Sequence, residues 1–176
     1  MSNFQKAYEY TLSNEGGWSN HKDDRGGATM MGVTLATYSR WLGRPATQEE
    51  LRNISPTTVK SIYKEWYWDV NRLDEVKSFP ISCAIYDIGV VSGPRTSVRI
   101  AQRTLKNLGD QFVIIDGCMG KATLRALNEA DEKAFVQDFK KLVDAHFRGI
   151  VDRNSSQAVF LRGWLNRSSR LLSLVA

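Results

Sequence analysis

Apolar residues at helical spacing follow Ser55-Pro56, and they predict a helix with one face packed against a core. Serine caps the first turn of a helix, and proline fits its first position. The apolar residues recur every three or four positions, as on one helix face; they are Val59, Ile62, Tyr63, Trp66, Tyr67 and Val70. A chain built around such a segment is expected to be helical and globular.

The same period recurs along most of the sequence and predicts a mainly α fold. Further helices are expected at residues 3–14, 34–42, 47–53, 79–91, 98–108, 121–127, 131–150 and 159–172. Thr47, with Glu50 three residues later, has the pattern of a capping box. Residues 18–34 show little helical period and predict a small β or loop region.

Length and charge limit the kind of partner. The chain has 176 residues, 42% of them hydrophobic, and a net charge of +5. This length suffices to bury a core without disulfides or a structural metal. The positive charge indicates an anionic partner, for which nucleic acid, anionic lipid and the bacterial envelope all qualify.

A glycine-rich polar string begins at the end of the first expected helix. Gly16-Gly17 should end that helix, because glycine takes the positive φ found past a helix C-terminus. Glu15 is then expected in the last turn, where the helix dipole disfavours an anion, and an apolar group such as Trp18 would shield it from water. Both effects raise the pKa of a carboxyl, as a general acid for glycosidic cleavage requires.

A second carboxyl and a hydroxyl follow at short spacing. Asp24 comes after eight intervening residues, in a polar loop that should keep it ionised. Thr29 comes after four more, and its hydroxyl is suited to hold a water or a sugar oxygen. The alternatives are that Glu15 is an exposed helix-end residue, Asp24 a loop carboxylate bonded to turn amides, and Thr29 a turn or strand hydroxyl.

This string carries a resemblance to known families. The order of Glu15, Asp24 and Thr29 is similar to the catalytic arrangement of phage-type lysozymes, although those commonly have five residues between Asp and Thr. The fuller run from Glu15-Gly-Gly-Trp through Asp24-Arg-Gly-Gly-Ala-Thr to Gly32-Val-Thr resembles glycoside hydrolase family 108, the muramidase endolysins. The resemblance implies a lysozyme-like helical fold and hydrolysis of the glycan of bacterial peptidoglycan.

The second half of the chain also resembles part of that family. Gln102, Asp116-Gly117, Gly120 and Thr123 are similar in order to small helical peptidoglycan-binding modules. We therefore expect a catalytic region at residues 1–92 and a peptidoglycan-binding-like region at 93–176 packed on it, or one integrated domain. The resemblance implies peptidoglycan as partner and no cofactor. A metal site at His21, Asp23 and Asp24 is not expected, since no second ligand cluster supports it.

Three further residues are candidates for substrate binding. Trp18 lies inside the matched string. Trp68 falls off the apolar face of its helix, so it is either a platform for a sugar ring or packed on the other half of the chain. Asp87 lies at the edge of an apolar stripe and is either a partnered structural residue or a group in a cleft.

Other functions fit parts of the sequence. A lytic transglycosylase needs only one acid-base glutamate, and a non-catalytic envelope-binding protein would leave Glu15 structural. Nucleic-acid binding is suggested by Lys60, Lys64, Trp66 and Trp68, which interleave basic and aromatic groups. Trp66 belongs to the expected core face and no nucleic-acid motif is present, so we expect no nucleic-acid partner.

The two ends of the chain bear on location. No apolar run follows Met1, so we expect no signal peptide, accumulation in the host cytoplasm, and release to the wall by a separate membrane-permeabilising protein. Residues 153–176 contain four arginines and no acid. They form either a solvated, docked helix or a cationic segment that touches anionic outer membrane or lipid.

Two further expectations concern packing and assembly. His146, beside Phe147, is expected to pack inside the protein, and the protein is expected to be a monomer.

Overall fold

The computed structural model describes residues 1–13, 17–20 and 27–176. The α-helices within these ranges are α1 (Asn3–Leu12), α2 (Leu35–Leu42), α3 (Gln48–Arg52), α4 (Pro56–Tyr63), α5 (Phe79–Ser92), α6 (Pro94–Asn107), α7 (Lys121–Glu129), α8 (Glu132–Arg153) and α9 (Ala158–Arg170). Short π and 3-10 helical turns occupy Lys64–Trp68, Asp69–Asn71, Leu73–Glu75, Ser155–Gln157 and Leu171–Val175. Strands β1 (Thr29–Met30) and β2 (Val33–Thr34) form an antiparallel hairpin. The predicted mainly α fold with a small β region is confirmed.

The helix starts follow the capping residues that the sequence predicts. Ser55 Oγ accepts the backbone N–H of Thr58 at 3.0 Å, and proline occupies the first turn of α4. Thr47 and Glu50 form the reciprocal bonds of a capping box at α3. These side chains satisfy backbone N–H groups that have no partner inside the helix. Local sequence signals therefore determine where these helices begin.

Helix α5 is the central helix of the fold. Every residue from Ile81 to Gly89 is buried, and α1, α6 and α8 pack around it. The sequence predicted only an apolar stripe, yet the small residues between the stripe positions allow neighbouring helices to approach on all sides. The C-terminal end of α5, at Val90 and Val91, is half-buried. This end reaches the cleft described below.

Trp68 lies in the core, which overturns its expected role as a platform for a sugar ring. Its side chain has no exposed surface and packs edge-on against Phe4 and Tyr86. Its indole N–H donates to Asp74 Oδ1 at 2.9 Å. The cause is the π-helical turn Lys64–Trp68, which changes the angle per residue and rotates Trp68 inward. The alternative that Trp68 packs inside the protein is the correct one.

The hairpin turn is held by a long-range hydrogen bond. Met31 and Gly32 both have positive φ, at 48° and 75°, as a two-residue hairpin turn requires. Such a backbone is unfavourable for methionine, and the hydroxyl of Tyr63 on α4 donates to the Met31 carbonyl at 3.0 Å. The bond fixes the hairpin against the helical body.

The second half packs on the first through one continuous core. The buried apolar cluster contains Trp68 and Ile85 together with Phe139 and Phe147 of α8. The boundary expected between residues 92 and 93 falls at Gly93, between α5 and α6, and stays a prediction. Among the described helices, none is both long and apolar enough to cross a membrane.

A buried glutamine organises the turn between α6 and α7. The amide nitrogen of Gln102 donates to Asp116 Oδ1 at 2.9 Å and to the Cys118 carbonyl at 3.0 Å, and its oxygen accepts the Gly117 N–H at 2.9 Å. Gly117 has φ of 77°, and a Cβ there would lie 2.9 Å from the Arg95 carbonyl oxygen. The residues that resemble a peptidoglycan-binding module are therefore linked as a structural unit.

Candidate active site

A cleft of about 640 Å³ lies between the hairpin, the end of α1, the end of α5 and α9. Its walls combine small and polar residues with one tryptophan. They include Ser13, Gly17, Ser19, Thr29, Gly32, Thr34, Val90, Val91, Trp164, Asn166, Arg167 and Arg170. The cleft therefore joins segments from both halves of the chain.

Thr29 lies in this cleft, on strand β1. Its N–H and carbonyl pair with those of Ser19 at 2.8 and 3.0 Å, and it stands opposite Thr34 in the hairpin. Thr34 also caps α2 by accepting the N–H of Thr37. Both backbone groups of Thr29 are thus bonded to Ser19, and Thr29 is held in the wall of the cleft.

Glu15 and Asp24 lie outside the described residues, as do His21 and Asp23. The described helix α1 ends at Leu12 and not at residue 14 as expected, and the positions and pKa values of Glu15 and Asp24 stay predictions. Ser13 and Gly17 flank residues 14–16 in sequence, and both line the cleft. Ser19 also lines it, shortly before residues 21–26, and Thr29 shortly after them.

Asp87 is a buried partner of Arg167 beneath the cleft. The Asp87 carboxylate accepts Arg167 Nε at 2.9 Å and Nη2 at 2.8 Å, and it also accepts the Thr11 hydroxyl at 2.9 Å. Asp87 is fully buried, whereas Arg167 is 9% exposed and lines the cleft. The expectation that Asp87 binds substrate is replaced by the structural alternative, because its oxygens are bound to protein groups and shielded from the cleft.

Arg170 places a second guanidinium at the cleft. Its Nη2 donates to Ser13 Oγ at 2.7 Å, and the group lies 5.5 Å from the ring centre of Tyr10. Burial is the main cause that raises the pKa of Tyr10, and the nearby Asp87 charge adds to it. The tyrosine is therefore neutral, and the described residues of the cleft wall that carry charge are Arg167 and Arg170.

Trp18 is placed beside the cleft rather than in its wall. The guanidinium of Arg52, from α3, lies 4.2 Å from the ring centre of Trp18. The ring is half-buried, and among the described residues it does not line the cleft. Its expected contact with substrate stays a prediction, while its observed contact is a cation–π pair.

A smaller pocket of about 290 Å³ continues the groove. It is lined by Ala36, Thr37, Arg40, Trp66, Tyr67 and Pro94. The guanidinium of Arg40 lies 4.7 Å from the ring centre of Trp66. Helix α2 lines the cleft with its N-cap and this pocket with its first turn, and the α5–α6 junction likewise contributes to both. Different residues of the same two segments therefore line the two cavities.

Sequence reasoning missed the contribution of α9. Trp164 stacks on Phe147 with ring centres 5.3 Å apart, and it lines the cleft together with Arg167 and Arg170. The sequence signal was the excess of arginine after residue 153, which we interpreted as a solvated face or a lipid contact. Two of these arginines face the cleft, a placement that depends on how α9 packs.

No group of three or more His, Cys, Asp or Glu side chains is arranged to hold a metal ion in residues 1–13, 17–20 and 27–176. The described polar and aromatic side chains of the cleft are four hydroxyls, one amide, two guanidinium groups and an indole. Such groups can bind sugar hydroxyls and acetamido groups through hydrogen bonds and ring stacking.

Comparison with known proteins agrees with this arrangement. The family model described as glycosyl hydrolase 108 matches residues 8–93, and one described as a predicted peptidoglycan domain matches residues 96–169. The solved structure of SagA from Brucella abortus is 32% identical, with a TM-score of 0.84 over 97% of this chain and 91% of that chain. No curated protein matches the sequence.

Proposed function

The chain belongs to the glycosyl hydrolase 108 family and is a glycosidase that degrades peptidoglycan; from this premise we propose that it is an N-acetylmuramidase. The bond cleaved would be the β-1,4 bond from N-acetylmuramic acid to N-acetylglucosamine. Glu15 would protonate the glycosidic oxygen. Asp24 would stabilise the positive charge that develops on the sugar or orient the attacking water, with Thr29 assisting.

One observation carries this proposal. Ser13 and Gly17 lie on either side of residues 14–16, which include Glu15. Both line the cleft that also contains Thr29. A chain of three residues between two wall positions has a short reach, since each residue spans at most about 3.6 Å. The connectivity therefore supports a Glu15 carboxyl within reach of a substrate in the cleft.

Two opposing effects would act on the pKa of Glu15 in this proposal. Loss of water on substrate binding would favour the protonated form, and the helix end would add less than the sequence suggested, because α1 ends at Leu12. A guanidinium near Glu15 would favour the ionised form, and Arg170, bound to Ser13 at 2.7 Å, lines the same cleft. Arg167 contributes less positive charge, because Asp87 neutralises it. An acid that works near neutral pH requires loss of water to exceed the effect of the guanidinium.

We infer that the smaller pocket holds a neighbouring sugar of the glycan. Its lining residues Ala36 and Thr37 follow closely in sequence on Thr34, which lines the cleft. Trp66 supplies an aromatic surface, and Arg40 stacked on it supplies donors for hydroxyl and acetamido oxygens. Trp66 would thus take the role first expected of Trp68.

Digestion of purified peptidoglycan, followed by reduction and mass spectrometry, tests the proposed bond. We expect new reducing ends at N-acetylmuramic acid. Reducing ends at N-acetylglucosamine would identify a glucosaminidase, and 1,6-anhydro ends would identify a lytic transglycosylase. Either of these results overturns the muramidase assignment while leaving a peptidoglycan-degrading enzyme.

We propose host lysis as the biological role, on the resemblance of residues 15–34 to phage endolysins. The enzyme would be held in the host cytoplasm until a membrane-permeabilising protein opens a route to the wall. Expression in bacteria with and without such a protein tests this. Lysis that requires both proteins supports the role, and lysis by the enzyme alone contradicts it.

A further inference from the structure

A pocket on the far half of the chain collects three basic side chains between α6 and α8. It has a volume of about 340 Å³ and is lined by Ile100, Arg103, Leu142, Ala145, His146, Gly149 and Arg153. Arg103 comes from α6, whereas His146 and Arg153 come from α8. The rest of the lining is apolar or glycine, so the pocket has a basic rim and an apolar wall.

Gly149 makes room for one of these groups. A Cβ at this position would lie 3.3 Å from Nη1 and 3.9 Å from Nη2 of Arg153. The arginine side chain therefore folds back along α8 over the bare glycine, toward His146 in the preceding turn. The guanidinium therefore lies at the rim of the pocket, where Arg153 remains exposed to solvent.

The basic groups have no acidic counterpart in the described structure. Neither Arg103 nor Arg153 makes a salt bridge with a described residue, whereas Lys140 and Arg125 elsewhere in this half are both paired with carboxylates. The pKa of His146 is lowered by burial and then by the charges of Arg153 and Arg103. The local field is therefore positive and uncompensated, and an anion would relieve the repulsion.

From this geometry we propose that Arg103, His146 and Arg153 form a binding site for a carboxylate that ends a short, small-residue peptide. Guanidinium groups bind carboxylates through paired charge-assisted hydrogen bonds. The wall formed by Ile100, Leu142 and Ala145 suits a methyl group beside that carboxylate. The proposal rests on the proposed function, since peptide stems of peptidoglycan end in alanine carboxylates.

The test follows the imidazole of His146 by NMR in the full chain. The chain contains two histidines, so a His146→Gln variant assigns the signal. The probe is N-acetyl-D-alanyl-D-alanine, with its C-terminal amide and inorganic phosphate as comparison ligands. We expect saturable shifts with the acid, much weaker binding of the amide, and weaker binding of phosphate.

Matched arginine variants locate the site. Arg103→Gln and Arg153→Gln should each weaken binding of the acid by about tenfold, the size of a lost charge-assisted hydrogen bond. Arg148→Gln removes the same charge from α8 at an exposed position outside the pocket, and it should change binding by less than about twofold. Thermal unfolding of each variant verifies that the fold is kept.

Four results would overturn the proposal. They are no response of His146 to the acid, equal binding of acid and amide, tighter binding of phosphate than of the acid, and equal effects of Arg148→Gln and Arg153→Gln. Tighter binding of phosphate than of the acid would indicate that the pocket binds a phosphate-containing polymer. The readout needs no hydrolysis, so a negative result here leaves the muramidase test unaffected, and failure of that test leaves this binding result intact.

Discussion

Arg167 Nη2 lies 2.8 Å from Asp87 Oδ1, although the two residues are 80 positions apart in sequence. The pair connects α9 to the central helix α5, and the Thr11 hydroxyl adds α1 to the same carboxylate. A buried ion pair of this kind depends on good geometry to offset desolvation. The Asp87–Arg167 pair therefore holds α9 in place, and α9 is the part of the cleft wall that comes from the second half of the chain.

Removing one partner of this pair should be costly. Arg167→Met leaves the Asp87 carboxylate buried without its cation, so we expect unfolding free energy to fall by about 3–5 kcal/mol. Urea unfolding of the parent and the variant measures the change. Arg162→Met removes an exposed arginine from the same helix and should cost less than about 0.5 kcal/mol. A loss below about 1 kcal/mol for Arg167→Met would contradict the structural role.

The hydroxyl of Thr29 can be tested without changing the shape of the strand. Thr29→Val keeps the branched side chain and removes the hydroxyl, while Thr29→Ser keeps the hydroxyl. If the hydroxyl holds the reacting water, we expect kcat on peptidoglycan to fall about 10-fold to 100-fold in the valine variant and less than about threefold in the serine variant. Equal rates for Thr29→Val and the parent would leave Thr29 as a wall residue only.

Trp66 and Trp68 should respond to substitution in opposite ways. Trp68→Phe removes buried volume and the bond to Asp74, so it should lower unfolding free energy by about 2 kcal/mol. Trp66→Leu removes a half-exposed ring, so it should raise KM on soluble glycan strands by about tenfold with little change in kcat. A raised KM for Trp68→Phe, together with lost stability for Trp66→Leu, would instead assign the sugar-binding surface to Trp68.

His146 should give stability a pH dependence of a defined sign. Burial, and then the charges of Arg153 and Arg103, hold the pKa of His146 in the folded protein below the usual value of 6.5 for histidine. The unfolded chain therefore binds more protons as the pH falls below about 6.5, and the folded state loses stability. Unfolding measured from about pH 7.5 to about pH 5 should show the parent losing stability relative to His146→Gln. A constant difference over this range would contradict the shift.

Much of the fold follows from signals within a few residues. Ser55-Pro56 and the Thr47 capping box each predict a helix start that the structure confirms. These signals are local hydrogen bonds and backbone preferences, so one sequence suffices to locate them. The string from Glu15 to Thr34 likewise indicated the family.

The arrangement of the cleft could not be predicted in the same way. The sequence left two roles open for Trp68, because a π-helical turn breaks the regular helical angle that sequence periodicity assumes. The pairing of Asp87 with Arg167 depends on the packing of α9 against α5, which brings distant parts of the chain together. Glu15 and Asp24 lie outside the described residues, so their roles stay predictions.

The most direct test of the central claim is the turnover of purified peptidoglycan by Glu15→Gln, measured beside its binding to the same material. The amide keeps the size of the side chain and cannot donate the proton that a general acid supplies. We predict that kcat falls by about 10² to 10⁴ while binding stays within about twofold of the parent. Peptidoglycan hydrolysis at the parental rate by this variant would contradict the account.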